Sequence, residues 1–256
     1  MTLELFVAII AGVFGLMVGS FLNVCITRLP ASLSVVRPRS RCPRCEQPIA
    51  WHDNIPVLSW LFLRGKCRGC GLPISPLYPA VELMTAGIWM AMALAYPLQF
   101  EGLRAALFFT LLLGIALTDA REYIIPDEFT WGGLAIGLLF ALAGGLSTLV
   151  PALIGAVTGF GLLWLVGVAG HLALKEEAMG GGDIKMMAMV GAFVGWQGVL
   201  LTIFLGALLG TVIFLPLSLM GRKKLVPFGV FLAIGAAATW IAGPAIIAWY
   251  RGYIGL

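Results

Sequence analysis

Two aspartates stand at the ends of apolar runs, where a carboxylate is costly to keep. Asp119 closes the run in GIALTDAREYIIPDEFTW, and Asp183 opens the run in MGGGDIKMMAMVG. An ionisable group at a membrane segment is a functional-site hypothesis by default. If the two carboxyl groups meet, one can stay protonated and polarise a peptide carbonyl while the other takes a proton from water. The pair therefore predicts an acid–base site for peptide hydrolysis.

Two other interpretations of these acids remain open from the residues alone. Acids in membranes also serve as proton or cation relays in transporters, and aspartates at helix ends are often simple caps. The glycines before Asp183 let the backbone approach an extended peptide and move to align the acid, so we expect Gly180 and Gly182 to support the site. Because transporters also use glycine-broken helices, the glycines do not decide between peptidase and transporter.

Four cysteines form two CxxC pairs, CPRC and CRGC, separated by 21 residues. Each pair can present two thiolates from one tight turn, and this spacing lets the turns converge on one tetrahedral ion. Zinc is the default metal, and iron in the same four-sulfur geometry remains open. A closed four-cysteine site has no free coordination position, so we expect a structural metal on Cys42, Cys45, Cys67 and Cys70. The alternative of two disulfides is disfavoured in a reducing compartment.

The composition is that of a membrane protein. Of 256 residues, 61% are hydrophobic and 11% are charged, with a mean hydropathy of +1.02, whereas soluble domains have about 25% charged residues. We predict an all-α polytopic protein with about eight transmembrane helices. The apolar runs are Leu3–Ile26, Tyr78–Leu98, Arg104–Thr118, Phe129–Leu146, Val150–Leu174, Ile184–Gln197, Val199–Met220 and Phe228–Tyr250. The third and sixth runs are short and adjoin the aspartates, which suggests helices that end early or line a wet cavity.

Basic residues orient the chain. Eight crossings place fourteen of the sixteen lysines and arginines on one face, and the positive-inside rule makes that face cytoplasmic. This face includes the segment Arg222-Lys223-Lys224, both aspartates and the loop with the cysteines. We therefore predict a first transmembrane helix at residues 1–29, a cytoplasmic zinc-binding loop domain at 30–77 and a transmembrane peptidase domain of about seven helices at 78–256.

Other polar residues have less specific expectations. Asn23, in the first span, is expected to hydrogen-bond to another helix, with a functional-site contact as the alternative. Glu82 is expected to find a basic partner in the cytoplasmic loop. Asp127 follows a proline just before the fourth span, which is typical of a helix cap. Glu176 and Glu177 are expected on a solvated face.

Six stretches, taken in order, resemble the type IV prepilin peptidase family, the bifunctional membrane aspartyl proteases of pilus and type II secretion systems. They are GSFLNVCITRLP, the CxxC pairs with NIPVLSWLFLRGKCRGC, then ISPLYPAVE, TDAREYIIPD, GGGDIK and VPFGVFLA. GGGDIK matches the GxGD motif, which presenilin-like intramembrane proteases also have, and the last stretch is usually written with isoleucine first. The resemblance covers nearly the whole chain. It implies that Asp119 and Asp183 are the catalytic pair.

The resemblance also implies a substrate, a compartment and a second activity. Prepilins and pseudopilins carry a short basic leader ending in glycine, followed by a hydrophobic helix that usually starts with phenylalanine. Cleavage after that glycine would occur at the cytoplasmic edge of the bacterial inner membrane. Family members then methylate the new terminal amine with S-adenosylmethionine. No glycine-rich turn follows a strand here, so this cofactor rests on the resemblance and its binding residues are unassigned.

The sequence supports two functional hypotheses. The first is a prepilin leader peptidase with a zinc-clipped loop, whose partners are a prepilin or pseudopilin and the lipid bilayer, with no nucleic acid. The second is a zinc-bearing transporter or channel that uses Asp119 and Asp183 as a proton or cation relay.

Overall fold

The computed structural model of the chain describes residues 2–175, 179–219 and 226–255. Within these ranges the fold is all-helical, with eight α-helices, a 3-10 turn at Trp51–Asn54 and no β-strand. The predictions for Glu176, Glu177, Arg222, Lys223 and Lys224 lie outside the described residues. The helices are α1 (Leu3–Arg28), α2 (Leu58–Phe62), α3 (Leu77–Ala95), α4 (Phe100–Glu122), α5 (Asp127–Ala143), α6 (Leu146–Leu174), α7 (Gly181–Leu219) and α8 (Phe228–Ile254).

Most of these helices can cross a bilayer. Six of them, α1, α3, α4, α6, α7 and α8, are long and apolar enough to do so. α5 is an apolar helix of 17 residues. α7 is interrupted at Gly195, whose φ of 71° is a left-handed conformation that suits glycine. With α5 and the two parts of α7, the described residues contain the eight membrane helices predicted, and the chain is a multi-pass membrane protein.

α4 corrects one predicted boundary. The apolar run ends at Thr118, but the helix continues through Glu122, so Asp119 lies inside its last turns. The expectation that this span ends early is therefore wrong. The polar residues that follow the run are compatible with a helix, and Arg121 in the last turn complements the negative end of the helix dipole. The first part of α7, before Gly195, is short as predicted, at roughly 20 Å for 1.5 Å per residue.

The chain divides into two compact units, of which the first is Met1–Thr110. In this unit α1 packs closely on α3, since a Cβ on Gly19 would lie 2.7 Å from the Cα atom of Glu82. Small residues permit such close approach of membrane helices. The Asn23 side-chain amide donates to the Tyr78 carbonyl of α3 at 3.0 Å, which confirms the predicted hydrogen bond to another helix.

The second unit is Leu111–Leu256. Its centre is α7, which contacts α5, α6 and α8. Gly155 of α6 lies directly against the backbone of Gly191 in α7, so neither position has room for a side chain. The residues from Met186 to Val190 are almost fully buried. The first part of α7, which begins beside Asp183, is therefore held by packing on α5 and α6, as at Gly133 with Met189 and Gly159 with Met187.

Candidate active site and cysteine cluster

Asp119 is a buried carboxylate that contacts the start of α8. Its side chain belongs to a residue only 6% exposed. Its Oδ2 atom accepts a hydrogen bond from the Val230 N–H at 3.1 Å. The first N–H groups of a helix lack complete partners within the helix, and the helix dipole favours an acid there. Gly229 leaves space for this contact, because a Cβ at that position would lie 2.9 Å from the same Oδ2 atom.

Asp183 is the third residue of α7, and one of its oxygens is uncommitted. Its backbone N–H donates to the Gly180 carbonyl at 3.1 Å, which forms the first turn. Its Oδ1 atom is buried and has no hydrogen-bond partner among the described residues. Buried polar atoms are nearly always hydrogen-bonded, and a catalytic role is one physical explanation for an exception. The uncommitted oxygen is therefore the atom of this acid best suited to contact a reacting group.

The structure brings the two aspartates together around Ile125. A Cβ on Gly182 would lie 2.8 Å from the Ile125 Cβ atom, and a Cβ on Gly229 would lie 2.7 Å from its Cδ1 atom. Gly182 directly precedes Asp183 in the sequence, and Gly229 lies beside the Asp119 carboxyl group. The Asp119 and Asp183 carboxyl groups are close enough to interact electrostatically. Their proximity was predicted, whereas their catalytic role stays a prediction.

The two predicted support glycines differ in their surroundings. Gly182 is half-buried and packs on Ile125, whereas Gly180 is exposed. A Cβ on Gly180 would lie 2.8 Å from the Oδ2 atom of Asp183. Both positions thus limit the space around an acid of the pair. Contact of either glycine with a substrate backbone remains a prediction.

Asp127 does not cap α5 and instead forms an ion pair. Pro126 occupies the N-cap position, which has no side-chain hydrogen bond, and Asp127 is the first residue of the helix. The Lys185 ammonium group donates to both Asp127 carboxylate oxygens, at 2.7 and 2.8 Å. The cap prediction is wrong because proline takes the cap position. Sequence reasoning missed this pair, whose one signal was a lysine two residues after Asp183.

The four predicted cysteines meet in a single cluster. The Sγ atoms of Cys42 and Cys70 are 3.9 Å apart, as are those of Cys45 and Cys67. All four lie within 4.8 Å of one another. A tetrahedral zinc ion with Zn–S bonds near 2.3 Å would hold its sulfurs about 3.8 Å apart. The cluster could therefore hold a metal ion.

Both cysteine turns have the same backbone construction. The Cys42 N–H donates to the Gln47 carbonyl at 3.0 Å, and the Cys67 N–H donates to the Leu72 carbonyl at 2.9 Å. In each turn the residue after the second cysteine has a left-handed backbone, with φ of 57° at Glu46 and 69° at Gly71. The two turns present their thiols as matched pairs, as the CxxC repeat predicts.

The surroundings shift the pKa values of two thiols of the cluster in opposite directions. Backbone N–H groups of Cys45 and Arg44 lower the pKa of Cys42 to about 6. For Cys45, the Gln47 N–H lowers the pKa, but burial and the neighbouring thiols outweigh it and raise the value to about 11. Thiols this close do not all ionise readily, whereas a bound cation stabilises every thiolate. The donor set fits a divalent metal.

The Arg68 side chain forms an ion pair with a residue outside the cysteine cluster. Its guanidinium donates to both Asp53 oxygens, at 2.6 and 2.7 Å. This hydrogen-bonded pair holds the pKa of the Asp53 carboxyl below its usual range. It joins the second cysteine turn to the 3-10 turn that begins at Trp51. The charged partner of Arg68 is therefore Asp53 and not a thiolate of the cluster.

Glu82 is a second buried acid, in the first unit, and it has no basic partner among the described residues. Its Oε2 atom accepts the Val57 N–H at 2.7 Å, so the expected pairing with a basic group is wrong. Val57 has a φ of 61°, which is rare for a β-branched residue. The hydrogen bond therefore fixes the loop to α3 at a strained position.

Two protein-family models match successive parts of the chain. A model of the Bacterial Peptidase A24 N-terminal domain matches residues 13–96, and a model of the Type IV leader peptidase family matches residues 106–215. The chain is 40% identical to a prepilin leader peptidase/N-methyltransferase of Aeromonas hydrophila, over 93% of this chain and 91% of the relative. The chain belongs to the type IV leader peptidase family. No solved structure matches it significantly.

Further members of the type IV leader peptidase family align at similar length. Proteins with the same printed name from Dichelobacter nodosus and Pectobacterium carotovorum subsp. carotovorum are each 38% identical, over 92% and 88% of this chain and 91% and 89% of the relatives. The two family models separate the two sites described above. The four cysteines lie in the N-terminal match, and both aspartates lie in the leader peptidase match. The transporter hypothesis has no support from these comparisons.

Proposed function

We propose that this chain is a membrane aspartyl endopeptidase that removes the basic leader of type IV prepilins or pseudopilins. It cleaves on the C-terminal side of a glycine, at the cytoplasmic edge of the bacterial inner membrane. The observation that carries the proposal is that Asp119 and Asp183 flank the same residue, Ile125, with Asp119 only 6% exposed and the Asp183 Oδ1 atom buried. The family and the printed names of its relatives support the substrate class.

The two acids divide the hydrolysis between them. One carboxyl is protonated and polarises the scissile carbonyl, while the other accepts a proton from the attacking water. The N-terminus of α8 holds Asp119 through its Oδ2 atom. The uncommitted Oδ1 atom of Asp183 is available to water or substrate. Gly180 leaves the Asp183 carboxyl group open to an extended peptide, and Gly182 lets Ile125 pack beside the start of α7.

Substrate topology agrees with the position of the acids. A prepilin helix anchored in the bilayer presents its leader where that helix leaves the membrane. Asp119 lies in the last turns of one membrane helix and Asp183 in the first turn of another. The positive-inside rule places these helix ends on the cytoplasmic side. A leader held there reaches the acids without crossing the membrane.

The metal site has a structural role in this proposal. Cys42, Cys45, Cys67 and Cys70 hold zinc, with iron in the same geometry as the alternative metal. A loop of this size makes little hydrophobic core, and metal binding supplies its folding free energy. On this basis residues 1–29 form the first membrane helix, 30–77 the zinc-binding loop domain and 78–256 the peptidase domain.

The printed names of the relatives also include N-methyltransferase. We extend this second activity to the present chain: after cleavage, the new terminal amine is methylated with S-adenosylmethionine as donor. The transferred group needs a deprotonated amine and a bound donor. Neither requirement involves the activation of water by Asp119 and Asp183.

A cleavage assay tests the peptidase. Purified protein in detergent is incubated with a pilin-like precursor, and the shorter product is measured for wild type, Asp119→Asn and Asp183→Asn. Each asparagine variant should lose activity by orders of magnitude, because an amide neither accepts nor shares the proton. Glu122→Gln is the matched control, since this exposed acid lies on the same helix as Asp119. Cleavage by either asparagine variant at the wild-type rate would remove that residue from the mechanism.

A further inference from the structure

The first unit contains a groove that the peptidase chemistry does not use. It has a volume of about 820 Å³ and lies between α1 and the loop that carries the cysteines. Pockets that bind small ligands have volumes of about 300–1,000 Å³. The lining residues all belong to the unit Met1–Thr110, whereas Asp119 and Asp183 belong to the other unit. A ligand can therefore bind in this groove without taking part in peptide cleavage.

One wall of the groove is a stripe along a single face of α1. Its members include Val13, Met17, Phe21, Val24 and Arg28. They recur every three or four residues, which is the spacing that places side chains on one side of an α-helix. Val13, Met17 and Phe21 are each more than half exposed, and Arg28 lies in the last turn of the helix. We call these five residues the α1 stripe, an apolar surface that ends in a guanidinium group.

The length of the α1 stripe matches one leaflet of a bilayer. From Val13 to Arg28 the helix rises by about 22 Å, at 1.5 Å per residue. A bilayer with its head groups is about 40–45 Å thick, so one leaflet is about 20–22 Å. α1 is long and apolar enough to cross a membrane, and the orientation proposed above places its Arg28 end on the cytoplasmic side. The α1 stripe therefore covers the inner leaflet from the head groups to the bilayer centre.

The other wall is a loop segment that hydrogen bonds hold in place. The Val57 N–H donates to the Glu82 Oε2 atom at 2.7 Å. The Ile55 N–H donates to the Ser59 Oγ atom at 3.0 Å, and this hydroxyl donates to the His52 carbonyl at 2.8 Å. Ile55 itself lines the groove. The groove is therefore largely formed before a ligand binds, as is usual for ligand sites.

The charged side chains in the lining are both cationic. Among the described residues that line the groove, Arg28 and Arg39 are charged and none is acidic. Arg28 donates to the Ser34 carbonyl at 2.9 Å, and a guanidinium has five N–H donors, so it can also contact a ligand. The Arg39 side chain is exposed and has no hydrogen-bond partner in the described ranges. The groove therefore attracts an anion and disfavours the basic leader of the proposed substrate.

Two apolar residues of the loop also line the groove and are open to the surroundings. The Trp51 residue is 81% exposed and Val36 is 75% exposed. Exposed apolar patches mark surfaces that contact a membrane or another molecule, and tryptophan is enriched where a bilayer meets water. This side of the loop therefore suits the head-group region of the membrane.

We propose that this groove binds an anionic phospholipid of the inner leaflet. The lipid phosphate contacts Arg28 and Arg39, and an acyl chain lies along the α1 stripe. Basic pockets on the cytoplasmic side of membrane proteins bind anionic head groups, and a phospholipid accounts for both the arginines and the apolar length of one leaflet. Bound in this way, the lipid holds the cysteine loop against α1. The inference rests on neither of the activities proposed above.

Native mass spectrometry of the purified full chain tests this site. The protein in detergent is titrated with phosphatidylglycerol and, separately, with phosphatidylethanolamine of the same acyl chains, which has no net charge. Wild type should bind one phosphatidylglycerol about tenfold or more tightly than phosphatidylethanolamine. Arg39→Gln should lower the phosphatidylglycerol affinity about fivefold. Arg64→Gln is the matched control, because Arg64 is an exposed arginine of the same loop outside the groove lining and its loss changes the net charge equally.

A double variant extends the test to both arginines. Arg28→Gln with Arg39→Gln should bind the two lipids with similar, low affinity. Because Arg28 also contacts the Ser34 carbonyl, metal content by elemental analysis checks that the loop of this variant is folded. Arg39→Gln alone keeps the test valid if the double variant does not fold, since its side chain contacts no other described residue through a hydrogen bond.

Four results would overturn the inference. Equal wild-type affinity for the two lipids would show annular lipid only. Equal weakening by Arg39→Gln and Arg64→Gln would show a general effect of net charge. Displacement of the lipid by inorganic phosphate alone would show an anion site without the α1 stripe. A raised KM for the pilin-like precursor in Arg39→Gln, with phosphatidylglycerol affinity unchanged, would assign the groove to the substrate.

Discussion

The cysteine cluster and the aspartate pair are assembled in opposite ways. The sulfurs that approach most closely belong to residues 28 and 22 positions apart, and each turn forms its own backbone hydrogen bonds. The aspartate site depends on contacts between distant segments: the Asp119 and Val230 bond spans 111 positions. The cluster is a local structure that a metal can close. The aspartate site exists only when α4, α7 and α8 are packed together.

The two regions also differ in how their polar atoms are used. In the cluster each sulfur has another sulfur beside it, and the surrounding backbone groups are paired. In the aspartate site the Asp183 Oδ1 atom has no partner in the described part of the chain. Four cysteine ligands leave no open coordination position on a metal, which suits a structural role. A buried carboxylate oxygen without a hydrogen-bond partner suits a catalytic role. Substitutions in the cysteine cluster should therefore affect metal binding first, whereas substitutions in the aspartate site should affect the rate of cleavage first.

The largest effect that we expect in the cysteine cluster is loss of the bound metal. Cys42→Ser should remove most of the bound metal, because one missing thiolate leaves an incomplete tetrahedron. Elemental analysis of the purified protein measures this directly. We expect methylation to fall at least as much as leader cleavage, since the loop is the soluble part of the first unit and a soluble methyl donor can reach it. Cys25→Ser is the control, because it removes a buried thiol of α1 outside the cluster and should keep the metal.

Cleavage that falls while methylation stays at the wild-type level in Cys42→Ser would contradict this assignment. It would mean that the loop serves the peptidase rather than the second activity. Removing the metal from wild-type protein with a chelator should reproduce the variant. Agreement between the two treatments shows that the metal, and not the serine, causes the change.

The aspartate region should be sensitive to one added methyl group. Gly182→Ala places a Cβ atom 2.8 Å from Ile125, so the start of α7 must shift. Displacement of a catalytic group by about 1 Å can cost on the order of a hundredfold in rate, and we expect a loss of cleavage between tenfold and that value. Gly181→Ala is the matched control, since nothing lies within 4 Å of its Cβ position.

A rescue variant sharpens this prediction. Gly182→Ala combined with Ile125→Ala should recover part of the activity, because the smaller side chain makes room for the added methyl group. The melting temperature should change less than the rate in both variants. An unchanged rate in Gly182→Ala would show that this glycine has no part in placing Asp183.

The contrast between local and distant assembly explains what the sequence could predict. The CxxC turns place their ligands within a few residues, so the spacing alone predicts the cluster of Cys42, Cys45, Cys67 and Cys70. Hydrophobic runs are equally local, and the eight membrane helices follow from them. The end of α4 could not be read from hydropathy, because the polar residues after Thr118 continue the helix.

The surroundings of the aspartates were beyond sequence reasoning. Shared depth in the membrane and the GxGD resemblance suggested that Asp119 and Asp183 meet. Nothing local indicates that Ile125 packs on Gly182 and Gly229, because that contact depends on how three segments dock. The Asp127 and Lys185 pair joins residues 58 positions apart. The sequence gives no sign that Lys185 is the partner of Asp127, so it suggested a helix cap instead.

This ion pair should have a moderate effect on cleavage. It links the residue two positions after Asp183 to the start of α5, yet both side chains are partly exposed, at 33% and 56%. Exposed ion pairs contribute about 0.2–1 kcal/mol, so Asp127→Asn or Lys185→Met should lower the rate about two- to fivefold. The charge-swapped double variant, Asp127→Lys with Lys185→Asp, should recover part of the loss. Glu128→Gln, an exposed neighbour, is the control.

Recovery in the swapped variant would be specific to a pair. A structural role of either residue alone gives two losses that add, without recovery. Measuring kcat and KM separately adds a second criterion. A positioning role lowers kcat, whereas direct contact of Asp127 with the basic leader would raise KM.

The smallest expected effect concerns the backbone of the two cysteine turns. Glu46 and Gly71 occupy equivalent positions, and both have left-handed φ values, of 57° and 69°. A non-glycine residue is strained there, while glycine is not. Glu46→Gly should therefore stabilise the loop and Gly71→Ala should destabilise it, each by about 0.4–1 kcal/mol. Nothing lies within 4 Å of the Gly71 Cβ position, so crowding does not complicate the comparison.

Resistance to a competing chelator measures this difference, because metal binding and folding of the loop are coupled. The chelator concentration that removes half the metal should rise about two- to fivefold in Glu46→Gly and fall by a similar factor in Gly71→Ala. Glu46→Ala is the decisive control, since it removes the same carboxylate and keeps the strain. If Glu46→Ala protects the metal as well as Glu46→Gly does, the charge of Glu46 matters and the backbone does not. Leader cleavage should be unchanged in all three variants, because the strain lies in the cysteine turns and the reacting groups lie in the other unit.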